Sequence, residues 1–174
     1  TALDNAFDGA NAGLCDLLEL QNKEILIPQV GTIKQLTTYV PEKNAEAVRN
    51  ALFKSGAGSI GNYSNCSFNS IGSGTYKGNE HSKPVIGEKH ILQNISETKI
   101  TISFAKHLEN DILKTLFSSH PYEEVAYEVM TLENKNQHIG MGMIGELEQP
   151  MDGTSFLDFI KNRLNCSSIR HSAL

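Results

Sequence analysis

The sequence predicts an α+β fold in which a strand–helix–strand pattern occurs twice in succession. Two alternating segments, Ile33–Val40 and Thr98–Phe104, have the pattern of strands, and an apolar stripe at helical spacing follows each of them. A further strand closes each half. The resulting order is typical of a split βαβ, ferredoxin-like unit, whose two helices pack on one face of a four-stranded antiparallel sheet.

The first half begins with Ile33–Val40, which alternates and is rich in β-branched and aromatic residues. Pro41 ends this strand and suits a first helical turn. The following helix extends to Ser55, and Gly56 supplies its C-terminal signal. The residues of its apolar face are Ala45, Val48, Ala51 and Leu52.

A stretch rich in glycine, serine and asparagine, Gly56–Gly78, follows this helix. Three residues within it indicate an embedded strand: Cys66, Phe68 and Tyr76. Glycine inside a strand often marks a bulge, so this strand is expected to bend or to bulge at Gly72 and Gly74.

The second half begins with Thr98–Phe104, the most regular alternation in the chain. Its helix has an apolar face of Leu108, Ile112, Leu113, Leu116 and Phe117. His120-Pro121 ends that helix, because the residue before a proline is disfavoured in the α region. A last strand is predicted over Glu124–Leu132, and the core is expected to contain Val48, Leu52, Ile112 and Leu116.

Helices are also predicted outside this unit. The segment Asn11–Leu20 carries leucines at helical spacing (Leu14, Leu17 and Leu18), with Asp8 or Asn11 as its N-cap. Near the end, Phe156, Phe159, Ile160 and Leu164 mark another helix, capped by Asp152 or Thr154. Because the chain opens at Thr1 and ends on an apolar run at Leu174, we expect it to be a piece of a longer protein.

Composition excludes several classes of function. The net charge is −5 and no basic cluster is present, so nucleic-acid binding is not predicted. No apolar run approaches the roughly 18 residues of a membrane helix, and no signal peptide is evident. Three widely spaced cysteines suit reduced thiols rather than a disulfide framework. These observations predict a cytoplasmic protein.

The segment Gly140–Gly145 (GMGMIG) satisfies the G-x-G-x-x-G pattern of dinucleotide-binding loops. That motif requires a helix directly after it, and Pro150 excludes a helix that starts at once. The glycines are therefore expected to let the backbone pass closely between two domains.

His120, Tyr122, Glu123 and Glu124 form the sharpest cluster of reactive side chains. An imidazole beside two carboxylates could act as an acid/base pair or bind a cation. The favoured interpretation is structural: His120 hydrogen-bonds the last helical carbonyls, and strand alternation places Glu123 and Glu124 on opposite faces.

Cys66 and the six histidines are weaker candidates. Cys66 could be a nucleophile, but a half-buried strand residue is the favoured role. No two histidines have the helical spacing of a metal-binding pair, so surface or capping roles are favoured for them.

Three segments carry a family resemblance. They are Gly56–Phe68 (GAGSIGNYSNCSF), Ser118–Val129 (SSHPYEEVAYEV) and Gly140–Met151 (GMGMIGELEQPM). Together and in this order they resemble the Nif-three-like (NGG-one interacting factor three-like) proteins, a group of hexameric, dinuclear-metal proteins. Thr1–Asp4 (TALD) is similar to the end of the family's His-Thr-Asn-Leu-Asp motif.

The resemblance implies that the chain is divided into three domain segments. Residues 1–32 would be part of the main α/β metal-binding domain, and residues 141–174 would return into it. Residues 33–140 would be the ferredoxin-like inserted domain, which is similar to PII and CutA proteins and implies a trimer or a hexamer.

In that family two divalent metal ions are held by a His-His pair, the aspartate of the motif, and a distal His and Glu. Asp4 matches the aspartate, whereas the other ligands would lie before Thr1 and after Leu174. We therefore expect this fragment alone to bind no metal and to be inactive. The full-length protein would be a GTP cyclohydrolase I type 2 homologue, and a metal-dependent hydrolase. The alternative is a PII/CutA-like module for oligomerisation or small-molecule binding, without catalysis.

Overall fold

The computed structural model describes residues 2–173, without the side chain of Ala2. Two compact units are present: a central unit, Gly31–Asn134, and a terminal unit, Thr1–Val30 with Lys135–Leu174. The domain limits expected from the sequence, 1–32, 33–140 and 141–174, stay predictions. The elements follow in the order α1 Ala2–Asn5, α2 Ala10–Leu17, β1 Gln21–Pro28, β2 Ile33–Pro41, α3 Glu42–Lys54, β3 Phe68–Tyr76, β4 Gln93–Ala105, α4 Glu109–Ser119, β5 Tyr127–Leu132, β6 Gly140–Glu146 and α5 Gly153–Leu164.

The central unit contains a four-stranded antiparallel sheet in the order β3-β4-β2-β5. Strand β2 pairs with β4 from Ile33 opposite Ala105 to Pro41 opposite Glu97, without a register shift. Helix α3 connects β2 to β3, and α4 connects β4 to β5. The predicted strand–helix–strand order and antiparallel sheet are confirmed.

One apolar cluster joins one face of this sheet to both helices. Residues of β2 and β4 alternate into it, and they meet the buried faces of α3 and α4. Its members are Leu36, Val40, Ala45, Val48, Leu52, Ala57, Ile100, Ile102, Phe104, Ile112 and Leu116. The two helices therefore share a sheet face, and the four predicted core residues are buried.

Strand β3 pairs regularly where a bend or a bulge was predicted. It pairs with β4 residue for residue, from Phe68 opposite Thr101 to Tyr76 opposite Gln93. The expected bulge at Gly72 and Gly74 is therefore wrong. Gly74 instead leaves room for a neighbour, since a Cβ there would lie 1.9 Å from Oε2 of Glu97.

Strand β5 begins at Tyr127, so the predicted start at Glu124 is wrong. The pairing of β2 with β5 stops at Thr38 opposite Tyr127. Beyond that point the ring of His120 hydrogen-bonds the carbonyl of Tyr39, and the Thr38 hydroxyl donates to the carbonyl of Ala126 at 3.0 Å. Side-chain hydrogen bonds thus replace the backbone hydrogen bonds between β2 and β5 beyond this point.

Cys66 was expected in a strand, but it precedes β3 in a loop. Its backbone N–H donates to the Gly58 carbonyl at 2.8 Å, and Gly58 has a positive φ of 79°. This loop follows α3, and Gly56, two residues after the last helical residue Lys54, also has a positive φ, as the sequence indicated.

In the terminal unit, β1 pairs with β6 in antiparallel fashion. Helix α2 forms as predicted, but its N-cap is Gly9, without a side-chain hydrogen bond, rather than Asp8 or Asn11. A Cβ at Gly9 would lie 1.8 Å from the Leu3 carbonyl oxygen, so no larger residue fits there. Helix α5 has the predicted cap: the Asp152 carboxylate accepts the backbone N–H groups of Thr154 and Ser155 at 3.1 Å.

The G-x-G-x-x-G segment forms strand β6 itself. A Cβ at Gly140 would lie 2.3 Å from Ile25 Cγ2 and from the Ile27 carbonyl oxygen. The close backbone approach is therefore to β1 of the same unit, which corrects the expectation of a passage between domains. No helix of the described residues is long and apolar enough to cross a membrane.

Candidate functional site

Asp4 lies exposed in the short helix α1, and its backbone carbonyl accepts a hydrogen bond from Asn11 Nδ2 at 2.7 Å. Across residues 2–173, no group of three or more His, Cys, Asp or Glu side chains could hold a metal ion. The described residues therefore do not fit a dinuclear centre by themselves. Thr1 of the TALD segment lies outside the described residues.

His120 is 7% exposed at the end of α4, and both ring nitrogens are used. The backbone N–H of Tyr122 donates to Nδ1 at 3.1 Å, which leaves the proton on Nε2. Nε2–H then donates to the Tyr39 carbonyl at 3.0 Å. Burial lowers the pKa of His120, and the Tyr39 carbonyl and Glu97 oppose this shift.

A neutral imidazole that joins the 120–122 turn to β2 is a structural element. The structure thus supports the structural interpretation of His120. The imidazole ring, however, binds the carbonyl of Tyr39 in β2 rather than the last carbonyls of the helix. Only the backbone N–H of His120 binds a helical carbonyl, that of Leu116 at 2.9 Å.

Glu123 and Glu124 lie in the turn before β5, so the argument from strand alternation does not apply to them. The Glu123 carboxylate accepts the backbone N–H of Lys83 at 2.5 Å. Both glutamates line a cavity in the central unit. The carboxylate that accepts the Tyr122 hydroxyl is a different one.

That carboxylate is Glu97 of β4, which the sequence did not single out. The Tyr122 hydroxyl donates to Glu97 Oε1 at 2.9 Å. Partial burial, followed by this hydrogen bond and the charge of Glu97, raises the pKa of Tyr122 well above its usual range. The sequence feature that could have pointed to Glu97 is the pair of glycines in β3. Gly72 lies opposite Glu97 in the sheet, and Gly74 leaves the space that the Glu97 carboxylate occupies.

The cavity has a volume of about 880 Å³, within the usual range for small-molecule sites. Residues of β3, β4 and the loop after β3 form its walls, together with the 122–126 turn. The residues that carry its chemistry are Tyr39, Tyr76, Glu97, Lys99, Tyr122 and Lys83.

Two tyrosines of the cavity lining are in contact with each other, and one of them also contacts His120. The rings of Tyr76 and Tyr122 meet edge to face with centroids 6.3 Å apart, and His120 lies 5.1 Å from the Tyr122 ring. The Tyr76 hydroxyl donates to the Ile86 carbonyl in the loop after β3. Both tyrosines therefore use their hydroxyls within the protein and present their rings to the cavity.

The other candidate residues considered from the sequence, Cys66 and the remaining histidines, do not form a common site in the part of the chain that the structure describes. Among the described residues, the contact found for Cys66 Sγ is the Ser64 carbonyl oxygen at 3.8 Å, which gives it no activating base. His81 lines the cavity, with Nε2 3.9 Å from Glu80.

Comparison with known proteins decides the family. The model of the Duf34/NIF3 (NGG1p interacting factor 3) family matches residues 1–173. The chain belongs to the DUF34/NIF3 family. It is 39% identical over 171 residues to the GTP cyclohydrolase 1 type 2 homolog of Bacillus subtilis (strain 168), which covers 98% of this chain and 46% of that protein.

Two further relatives agree. A GTP cyclohydrolase 1 type 2 homolog of Listeria innocua is 39% identical over 173 residues, covering 98% of this chain and 46% of its own length. The crystal structure of a Bacillus cereus protein related to NIF3 superimposes with a TM-score of 0.77 at 38% identity, covering 94% of this chain and 43% of that one. The chain spans less than half the length of these NIF3 relatives.

Proposed function

We propose that this chain is part of a metal-dependent hydrolase of the NIF3 family, to which the terminal unit supplies Asp4. Family membership carries the proposal, together with the exposed position of Asp4 in α1. Two divalent ions bound in the full-length protein would activate water for hydrolysis. The described residues hold no such centre, so further ligands have to come from other parts of the full-length protein.

The test is metal analysis of the full-length protein. Asp4→Ala is expected to lower the metal content below two ions per chain, because a carboxylate ligand is lost. Asp8→Ala is the matched control, since Asp8 is an exposed carboxylate in the same segment and should leave the metal content unchanged. Two ions per chain retained in the Asp4→Ala protein would show that Asp4 is no ligand.

A second role is favoured by the cavity of about 880 Å³ in the central unit. We propose that this unit also serves as a PII/CutA-like module for small-molecule binding and for assembly. The support for binding is a concave site with converging charged and aromatic groups.

Assembly is proposed as a homo-trimer or a hexamer built from trimers. In the central sheet, β3 and β5 are edge strands, and such edges present unpaired backbone groups unless another chain or segment covers them. Light scattering on the full-length protein at micromolar concentration is expected to give the mass of a trimer or hexamer. A monomeric mass under these conditions would contradict the proposal. A cytoplasmic location stays a prediction.

A further inference from the structure

The face of the central sheet that points away from the helices carries opposite charges side by side in the cavity. Glu97 and Lys99 are two residues apart on β4, so their side chains leave the same face, with Cα atoms roughly 7 Å apart. Gly72 and Ser70 lie opposite them on β3 and add little bulk above the sheet. The cavity floor thus offers a carboxylate beside an ammonium group.

Glu97 has one carboxylate oxygen in a hydrogen bond and one without a hydrogen-bond partner among the described residues. Oε1 accepts the Tyr122 hydroxyl, whereas Oε2 occupies the volume above Gly74, where a side chain would stand. Among the described residues, no hydrogen bond or ion pair is found for Oε2 or for the Lys99 ammonium group. A ligand can therefore reach both groups without breaking a protein contact.

Tyr122 binds Glu97 through its hydroxyl, and the Tyr76 ring meets the Tyr122 ring, so both aromatic rings lie in the same part of the cavity lining and both hydroxyls are already donated. Aromatic faces next to a carboxylate attract an organic cation more strongly than either group does alone. The whole lining is balanced, however, with three lysines, Lys77, Lys83 and Lys99, against three glutamates, Glu97, Glu123 and Glu124. This balance disfavours a ligand that carries a large net charge of either sign.

We propose that this cavity binds a small zwitterion, with its ammonium group at Glu97 beside Tyr76 and Tyr122 and its anionic group at Lys99. The inference rests on the binding role proposed for the central unit and names its ligand class. The two ligand charges have to be separated by several bonds, because Glu97 and Lys99 stand two strand residues apart. An ω-amino acid has this form.

The test is a titration of the chain with 5-aminopentanoate, followed by NMR chemical shifts. Pentanoate lacks the ammonium group, pentylamine lacks the carboxylate, and ATP represents a strongly anionic ligand. We expect saturable shifts confined to the cavity residues with 5-aminopentanoate, and at least about tenfold weaker binding of the three other compounds, since one lost charge contact costs about a factor of ten.

Three variants test the assignment of the groups. Glu97→Gln keeps the shape and an acceptor for Tyr122 but removes the charge, and Lys99→Met removes the ammonium group; each should weaken binding about tenfold. Gly72→Val should abolish binding by filling the cavity, because a Cβ at Gly72 meets no atom within 4 Å and the strand can accept it. Matched controls are Glu46→Gln and Lys114→Met, exposed helical residues outside the cavity.

The outcomes separate the two proposals. Binding that is unchanged by Glu97→Gln, or as strong for pentylamine, pentanoate or ATP, overturns the zwitterion assignment and leaves the binding role of the central unit in place. If none of the four compounds shifts the cavity resonances, both the assignment and the binding role are overturned. Thermal unfolding of each variant verifies that it is folded.

Discussion

The central and terminal units differ sharply in how much apolar surface they bury. The central unit contains eleven buried apolar side chains in one cluster. The described part of the terminal unit contains three, Ala12, Cys15 and Ile25. Because burial of apolar area is the dominant stabilising contribution to folding, the central unit has its own source of stability and the terminal unit has little.

The helices show the same difference. In α3 the residues at helical spacing, Val48 and Leu52, are completely buried against the sheet. In α2 the leucines that are also at helical spacing, Leu14 and Leu17, are 49% and 42% exposed, and the smaller Ala12 and Cys15 face inward. Periodicity thus predicts a helix in both places, but it predicts burial only where a sheet face receives the helix.

The largest effect is expected from truncating the central core. Leu52→Ala should lower the free energy of unfolding by about 2–5 kcal/mol, because it removes buried methyl groups and leaves a cavity. Leu14→Ala is the matched change in the terminal unit and should cost less than about 1 kcal/mol. Urea unfolding followed by far-UV circular dichroism measures both. Equal losses of unfolding free energy in the two variants would contradict the difference in burial between the two units.

A smaller, pH-dependent effect is expected at His120. Its pKa is lowered in the folded chain, so the unfolded chain binds the proton more tightly. The stability that the neutral ring provides is complete above pH 6.5 and is lost as the pH falls below it towards the lowered folded pKa. The urea concentration at the unfolding midpoint should therefore fall more in the wild type than in His120→Gln as the pH is lowered from 8 to 5. Parallel midpoints in the two proteins would show that His120 is not titrating as described.

The smallest effect is expected at the cap of α5. Asp152→Ala removes the acceptor for two backbone N–H groups, so the first turn of α5 should fray. Faster hydrogen exchange at Thr154 and Ser155 measures this, with unchanged exchange in β4 as the internal control. The Ser155 hydroxyl, followed by the backbone N–H groups of Ser155 and Thr154, lowers the pKa of Asp152, so the wild type should lose the cap only in acid. Unaltered exchange at Thr154 and Ser155 in the variant would show that the cap stabilises nothing.

The sequence predicted the central fold well, because its strands alternate and its helices bury one face. It failed where a side chain or a tertiary contact decided the backbone. The start of β5 depends on His120 and Thr38, whose side-chain hydrogen bonds replace the ladder partners. In β3, Gly74 marks the space that the Glu97 carboxylate occupies rather than a bulge.

The candidate site was predicted only in part. Tyr122, Glu123 and Glu124 are in the cavity, and the sequence had grouped them with His120. Glu97 and Lys99 come from a strand distant in sequence, and only the sheet register brings them beside that turn. Asp4 rests on motif similarity alone, since no described neighbour forms a metal site with it.

Residue-resolved hydrogen exchange on the whole chain tests the comparison of the two units most directly. Amides of β2 and β4 should exchange only through global unfolding of the central unit, whereas amides of α2 and α5 should exchange through local opening at far lower cost. Protection in α2 and α5 that is several orders of magnitude weaker than in β2 and β4 is the predicted result. Equal protection in all four elements would contradict the claim that the central unit has a self-sufficient core and the terminal unit does not.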